Sequence, residues 1–297
     1  MMKLEKMNHL LVIIITIVSQ GCLLSACDSK NEAETDYNLG NKYASQGKLE
    51  DAVTAYQQAI TIDPNDAMAH VSLGNVYYKQ SKLEDAITAY HQAITIDPND
   101  AMAHNNLGLV YRMQGKLEDA VTAYQQAIAL DPNGVGTHNN LGYVYYNQGR
   151  LEDAVAEYQR AIQIDPNYAL AHHNLGLVYH DQGKLEDTVT AYQQAITLDP
   201  NLTKAHYNLG YVYYEQGKLE DAIAQLQQAI TLDPNLAPAH YNLACIYSLK
   251  NEQTPAIKWL QKAIALDQGT IIEQSKTDSD LDNIRQSSEF QQLINSE

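Results

Sequence analysis

Apolar residues in this chain recur at helical spacing, in two stripes that follow one another. In the stretch from Ala101 to Gly134, the first stripe has the spacing i, i+4 and i+7 of one helix face, with Ala103, Leu107 and Val110. Gly115 follows this stripe, where a helix can end on a left-handed residue. A second stripe then runs to Asp131-Pro132, which ends it because proline disfavours helical geometry in the residue before it. The pattern predicts helix, tight turn, helix, turn.

The same pattern returns along most of the chain with a period of 34 residues, as from Gly74 to Gly108. Counting Ala101 as position 1, the glycine of position 8 stands at Gly40, Gly74, Gly108, Gly142, Gly176 and Gly210. The proline of position 32 stands at Pro64, Pro98, Pro132, Pro166, Pro200 and Pro234. A fixed period of this length is typical of stacked repeats, in which each unit buries its apolar stripes against its neighbours.

The repeat resembles the tetratricopeptide repeat (TPR) family. The residues that carry the resemblance are Leu107, Gly108, Tyr111, Ala120, Tyr124, Ala127 and Pro132, with their counterparts in the other repeats. The resemblance implies an all-α TPR solenoid, a right-handed superhelix of helix-turn-helix repeats. Seven repeats fit, at 33–66, 67–100, 101–134, 135–168, 169–202, 203–236 and 237–270. The last is degenerate, with Ala244 and Gln268 in place of glycine and proline.

The segment after the repeats, 271–297, has short amphipathic stretches with Asp278 and Ser287 as candidate helix caps. It resembles tails that close other bacterial TPR arrays. We expect it to be a C-terminal capping helix segment, because the end of an array exposes an apolar face.

The N-terminal segment has the organisation of a lipoprotein signal peptide. Lys3 and Lys6 precede an apolar run over 10–18, and Leu-Ser-Ala-Cys ending at Cys27 resembles a bacterial lipobox. We therefore expect a signal peptide at 1–26, lipidation of Cys27 and a short tether at 27–32. Retention as a signal anchor and cleavage at Cys22 are the alternatives. Asp28, which follows the lipid site, does not decide between the inner and the outer membrane.

Composition and charge exclude several classes of function. The formal net charge is −17, with no basic run after the signal segment, which argues against nucleic-acid binding. Three cysteines are too few for a disulfide framework. The chain shows no phosphate loop, nucleophile elbow or zinc motif. We expect no enzyme activity, catalytic residue, cofactor or metal.

Histidines at position 4 of six repeats form a ladder: His70, His104, His138, His172, His206 and His240. Like positions of neighbouring repeats are about one helix spacing apart, ~8–10 Å. Zinc ligands must converge at roughly 2.0–2.1 Å from one ion. The ladder is therefore expected to pack, as an aromatic residue would, rather than to bind metal.

In the TPR family, positions 2, 5, 9, 12 and 13 of the first helices point into a concave groove. The resemblance implies a set of partner-binding candidates: Asn139, Tyr143, Tyr146, Asn147, His173, Lys204, Tyr207, Tyr211, Tyr214 and Tyr241. Tyrosine suits recognition because it joins a rigid apolar ring to a hydroxyl. The alternative is that these tyrosines only follow the family's preference. The position-11 tyrosines, such as Tyr43, are interpreted as core.

These observations favour a protein–protein interaction scaffold or adaptor: a TPR lipoprotein tethered to a bacterial envelope membrane on its extracytoplasmic (periplasmic) side. The expected partners are peptide segments or other envelope proteins. The lipid anchor would attach the protein to the membrane. A saccharide-binding accessory protein of an envelope polysaccharide system is the alternative. The partner's identity and the oligomeric state stay open.

Overall fold

A computed structural model describes residues 30–295, and the regular secondary structure in that range is helical. The predicted signal peptide and Cys27 lie outside the described residues. The helices are α1 (30–45), α2 (Leu49–Ile62), α3 (Ala67–Lys79), α4 (Leu83–Ile96), α5 (Ala101–Met113), α6 (Leu117–Leu130), α7 (Val135–Asn147), α8 (Leu151–Ile164), α9 (Ala169–Asp181), α10 (Leu185–Leu198), α11 (Thr203–Glu215), α12 (Leu219–Leu232), α13 (Ala237–Leu249), α14 (Gln253–Leu266), α15 (Gln268–Thr277), α16 (Asp282–Arg285) and α17 (Ser288–Ile294), with a short 3-10 helix at Ser279–Leu281.

Within residues 30–295 the chain forms two compact units, called unit 1 and unit 2 below, which divide between Val144 and Tyr145. In unit 1, α2 packs on α3, and α4 packs on both α3 and α5. In unit 2, α10 packs on α9 and α11, and α12 packs on α11 and α13. Each second helix is thus shared between the first helix of its own repeat and that of the next. The predicted all-α tandem of helix pairs is confirmed.

The turn inside each repeat is closed by a residue with positive φ. Gly115 has φ +73°, and the backbone N–H of Lys116 donates to the carbonyl of Tyr111 at 2.9 Å. Ser81 and Asn251 occupy the same turn position in their repeats with φ 59° and 61°. This is a C-terminal helix cap on a left-handed residue, as the sequence predicts.

The turn between repeats is held by the histidine ladder. In six repeats the histidine Nε2 donates to the carbonyl oxygen of the proline six residues earlier, at 2.9–3.2 Å: His70, His104, His138, His172, His206 and His240. The ladder therefore makes a hydrogen bond in addition to the packing that was expected. Among residues 30–295, no group of His, Cys, Asp or Glu side chains is arranged to hold a metal ion.

The two helices of a repeat make their closest approach at the position-8 glycine. A Cβ on Gly176 would lie 2.6 Å from the ring of Tyr192, and one on Gly108 would lie 2.8 Å from the ring of Tyr124. These position-24 tyrosines are fully buried. A flat ring against a bare backbone lets the helices pack this closely, which explains why the two residue types recur together.

The position-11 tyrosines are less buried than the sequence interpretation expected. Tyr145 is buried, whereas residues such as Tyr77 and Tyr111 pack beside the core with part of the ring exposed. The ammonium group of Lys116 lies 5.9 Å from the ring centre of Tyr111. These rings therefore join the edge of the core, and a lysine stem covers what remains.

The C-terminal segment packs on the last repeat of unit 2. Leu281, Ile284 and Phe290 are buried in one cluster with residues of α13 and α14. Asp278 and Ser287 cap short helices, accepting from the backbone N–H of Asp280 and Phe290. The segment starts at α15, slightly before the predicted boundary, because Gln268 replaces the proline that ends other repeats.

None of the helices in residues 30–295 has both the length and the apolar character needed to cross a bilayer.

Candidate partner-binding surface

Four of the predicted residues lie on α11, in contact with polar residues of α9 that were not predicted. We call this set the α9–α11 surface: His180 and Asp181 of α9 with Lys204, Tyr207, Tyr211, Tyr214 and Glu215 of α11. Tyr207, Tyr211 and Tyr214 have the spacing i, i+4 and i+7, so α11 presents them on one stripe. Lys204 is exposed one turn before Tyr207.

A cavity of about 250 Å³ opens between α9 and α11. Its lining combines aliphatic, aromatic and polar side chains: Leu177, His180, Tyr192, Tyr207, Asn208, Tyr211 and Val212. An apolar pocket with a few polar groups at its edge has the composition of binding sites. Its size suits one side chain of a partner.

Tyr211 is the most exposed aromatic residue of this surface, with 37% of its area accessible. Its ring meets the rings of His180 and Tyr214 edge-on, with centroid distances of 6.1 and 6.4 Å. Partial burial and the nearby Glu215 carboxylate raise the pKa of Tyr211, so its hydroxyl stays protonated. Two neighbouring rings contact Tyr211, and more than a third of its area stays accessible to a partner.

Two carboxylates of this surface are each held by a donor of the preceding repeat. The hydroxyl of Tyr146 donates to Asp181 at 2.8 Å, and Nε2 of His180 lies 2.7 Å from Glu215. In both pairs, position 12 of one repeat contacts position 13 of the next. The carboxylates are oriented but remain partly exposed to solvent.

His173, a predicted binding residue, lies beneath this surface. Its ring is 5% exposed and its centroid is 5.6 Å from that of Tyr192. Its Nε2 faces the Asn208 amide nitrogen at 3.1 Å, and its Nδ1 faces the Asn174 amide oxygen at 3.2 Å. Burial lowers the pKa of His173, which favours the neutral ring that can accept from Asn208. His173 thus positions Asn208 in the pocket wall.

The chain's own C-terminal segment covers two other predicted residues. Tyr241 is 3% exposed, and its hydroxyl donates to Asp278 at 2.7 Å. The hydroxyl of Tyr214 donates to Asp280. Cys245 is buried beside Asp278, and burial raises the pKa of its thiol, so it is an inert core residue. The α9–α11 surface therefore ends at Tyr214.

The remaining candidates lie on α7. In unit 1, Asn139 is buried and Tyr143 is half-buried, with the guanidinium of Arg112 at 5.0 Å from the centre of its ring. In unit 2, Asn147 is exposed and Tyr146 is engaged with Asp181. The face of Tyr143 is thus already occupied by a cation of its own unit.

Sequence reasoning missed His180, Asp181, Glu215 and Asp280. The sequence did contain a signal for these residues. Asp181 and Glu215 occupy position 13 of consecutive repeats, whereas position 13 of the next repeat is Leu249. Asp280 supplies Tyr214 with the carboxylate that Leu249 cannot. The single-repeat pattern hides this relation, since the contacts join one repeat to the next.

Comparison with family profiles gives matches over most of the chain. A profile described as TPR repeat matches residues 40–81, 74–115, 108–149, 142–183, 178–217 and 210–251. One described as tetratricopeptide repeat matches residues 237–270. A comparison with curated proteins finds no match.

Solved structures of similar fold include those of PilF, MamA and YrrB. PilF of Pseudomonas aeruginosa is 20% identical with a TM-score of 0.64, and the alignment covers 74% of this chain and 96% of that one. MamA is 28% identical with a TM-score of 0.52, covering 55% and 95%. YrrB, described as a TPR protein with an unusual peptide-binding site, is 24% identical with a TM-score of 0.50, covering 62% and 95%. At 20% and 24% identity, PilF and YrrB share the fold alone.

Proposed function

Because the chain belongs to the tetratricopeptide repeat family, we propose that it is a non-catalytic interaction scaffold that binds a segment of a protein partner on the α9–α11 surface. The observation that carries this proposal is the partly exposed ring of Tyr211 beside a side-chain-sized cavity. Tyrosines placed next to a pocket are frequent among the few residues that dominate binding energy.

The rigidity of the surface supports this role. Asp181 and Glu215 are held by Tyr146 and His180, and Asn208 is held by the buried His173. A surface whose polar groups are already oriented loses little conformational freedom when a partner binds. The first helices that carry it are fixed by the buried contacts of α10 and α12.

The second part of the proposal concerns location. We propose that Cys27 is lipidated and that the protein is tethered to a bacterial envelope membrane on its extracytoplasmic side. The support is the order of charged, apolar and Leu-Ser-Ala-Cys segments at the start of the sequence. Mass spectrometry of the membrane-extracted protein should find Cys27 as the acylated first residue. An intact Met1, or an unmodified first residue elsewhere, would contradict it.

Site-specific photo-crosslinking in intact cells tests the scaffold role. A photoreactive phenylalanine analogue replaces Tyr211 in the full chain, and in a matched control it replaces Gln194, which is exposed on α10 of the same repeat region. We expect a discrete protein adduct from position 211 that is absent from position 194.

Two results would count against a protein scaffold. Equal adducts from both positions would indicate non-specific contact. Adducts at position 211 that contain glycan without protein would favour the saccharide-binding alternative.

A further inference from the structure

The same two positions of the repeat meet in both units, but with different residues. In unit 1, Arg112 at position 12 of α5 lies over Tyr143 at position 9 of α7, with 5.0 Å between guanidinium and ring centre. In unit 2, His180 and Tyr211 are the residues at these positions. Unit 1 thus shows that an arginine at position 12 can place its guanidinium over the position-9 tyrosine of the next repeat.

Tyr211 has no lysine or arginine of the described residues over its ring. His180 makes a T-shaped contact with it at 6.1 Å, and the Nε2 of His180 is engaged with Glu215 at 2.7 Å. The electron-rich face of Tyr211 is therefore left without the cation that Tyr143 has. Cations are attracted to such faces, and arginine is the most frequent partner.

The surroundings of Tyr211 favour a positive charge. Glu215 lies one turn after Tyr211 on α11, and Asp181 follows His180 on α9. Both carboxylates are near enough to Tyr192, in the cavity wall, to raise the pKa of its hydroxyl further after burial has done so. A third carboxylate, that of Asp280, accepts a hydrogen bond from the Tyr214 hydroxyl. Lys204 stands two turns of α11 away from Tyr211, at the other end of the stripe. A cation is thus attracted to the Tyr211 end of the surface.

We propose that the α9–α11 surface docks a basic segment of a protein partner, with an arginine stacked on Tyr211 and paired with Glu215. A neighbouring apolar side chain of the segment fills the cavity against Leu177 and Val212. Arginine suits this site better than lysine, because its planar guanidinium can stack on a ring and pair with a carboxylate at once. This inference rests on the proposed scaffold function and names the chemistry of its partner.

The test measures fluorescence anisotropy of a fluorescein-labelled peptide of alternating arginine and leucine against the full chain. A second peptide replaces every arginine by citrulline, which keeps the shape and removes the charge. We expect the arginine peptide to bind about tenfold more tightly than the citrulline peptide. A lysine peptide should fall between them.

Matched variants separate this site from general attraction to an acidic protein. Tyr211→Ala and Glu215→Gln should each weaken binding of the arginine peptide by about five- to tenfold. Glu186→Gln removes an exposed carboxylate on α10 and should leave binding unchanged. Circular dichroism should be the same for all variants, since the three residues are exposed.

Three results would overturn the inference: equal binding of the citrulline and arginine peptides, normal binding by a folded Tyr211→Ala variant, or equal losses from Glu186→Gln and Glu215→Gln. Its failure is distinguishable from failure of the scaffold role. If the position-211 protein adduct forms but the arginine peptide does not compete with it, the scaffold stands and the basic partner is wrong.

Discussion

Tyr143 in unit 1 and Tyr211 in unit 2 occupy the same position of the repeat, yet of the two only Tyr143 has a guanidinium over its ring. Arg112 supplies that cation, whereas His180 makes a T-shaped contact with the Tyr211 ring and binds the Glu215 carboxylate. The contact of a position-8 glycine with a buried tyrosine ring is found in both units, although Gly210 of unit 2 meets Leu226 instead. The framework is therefore largely shared, and we propose that a few surface residues decide where a partner binds.

The largest expected effect concerns the C-terminal segment, which belongs to unit 2 alone. Phe290 is fully buried, so Phe290→Ala should cost about 3–5 kcal/mol of local stability. Repeats couple mainly to their neighbours, so hydrogen exchange should rise in the C-terminal part of unit 2 and stay unchanged over residues 30–144. Leu266→Ala, at an exposed site on α14, is the control and should have little effect. Uniform loosening of both units would refute nearest-neighbour coupling.

The next prediction tests whether the framework is shared. Gly176→Ala in unit 2 and Gly108→Ala in unit 1 should destabilise by similar amounts, ~1–3 kcal/mol, because each added Cβ meets a buried tyrosine ring. Gly210→Ala should cost less. Its Cβ would meet Leu226 at 2.9 Å, and the Ala244–Leu260 pair of the next repeat already has this combination. Thermal melting compares the three variants, and equal losses from Gly176 and Gly210 would show that the ring is not the obstacle.

A smaller effect is expected from the hydroxyl that joins α11 to the C-terminal segment. Tyr214→Phe removes a hydrogen bond to the Asp280 carboxylate and should cost about 1.5 kcal/mol, with faster exchange near residue 280. Tyr78→Phe is the matched change in unit 1. In unit 1, position 13 of the following repeat is Met113, which has no carboxylate to accept the hydrogen bond. Tyr78→Phe should therefore cost less than ~0.5 kcal/mol. Equal effects of the two changes would remove the special role of the segment.

The fold was predictable because the period, the glycine at position 8 and the proline at position 32 act within one repeat. The free surface was only partly predictable. Tyr211, predicted to bind a partner, is exposed, whereas the predicted Tyr241 and Tyr214 are engaged by Asp278 and Asp280, which are distant in sequence. A pattern that describes one repeat cannot show which carboxylate reaches across from a segment outside the array.

The histidine ladder shows the same limit. The expectation that the ladder does not bind metal rests on the ~8–10 Å spacing between neighbouring helices. The hydrogen bond from His206 to the Pro200 carbonyl depends on the shape of the turn between repeats, which the spacing alone does not specify. Every residue has a backbone carbonyl that can accept a hydrogen bond. The sequence therefore does not show which carbonyl a histidine will contact.

The most direct test of the account copies the unit 1 arrangement into unit 2. His180→Arg places a guanidinium where it can cover Tyr211, as Arg112 covers Tyr143. Fluorescence anisotropy should show that the full-chain variant, with unchanged helicity, binds the arginine–leucine peptide about tenfold more weakly than the original chain and no better than the citrulline peptide. If the His180→Arg variant binds the arginine peptide as tightly as the original chain, the open face of Tyr211 does not determine docking and the proposed site is wrong.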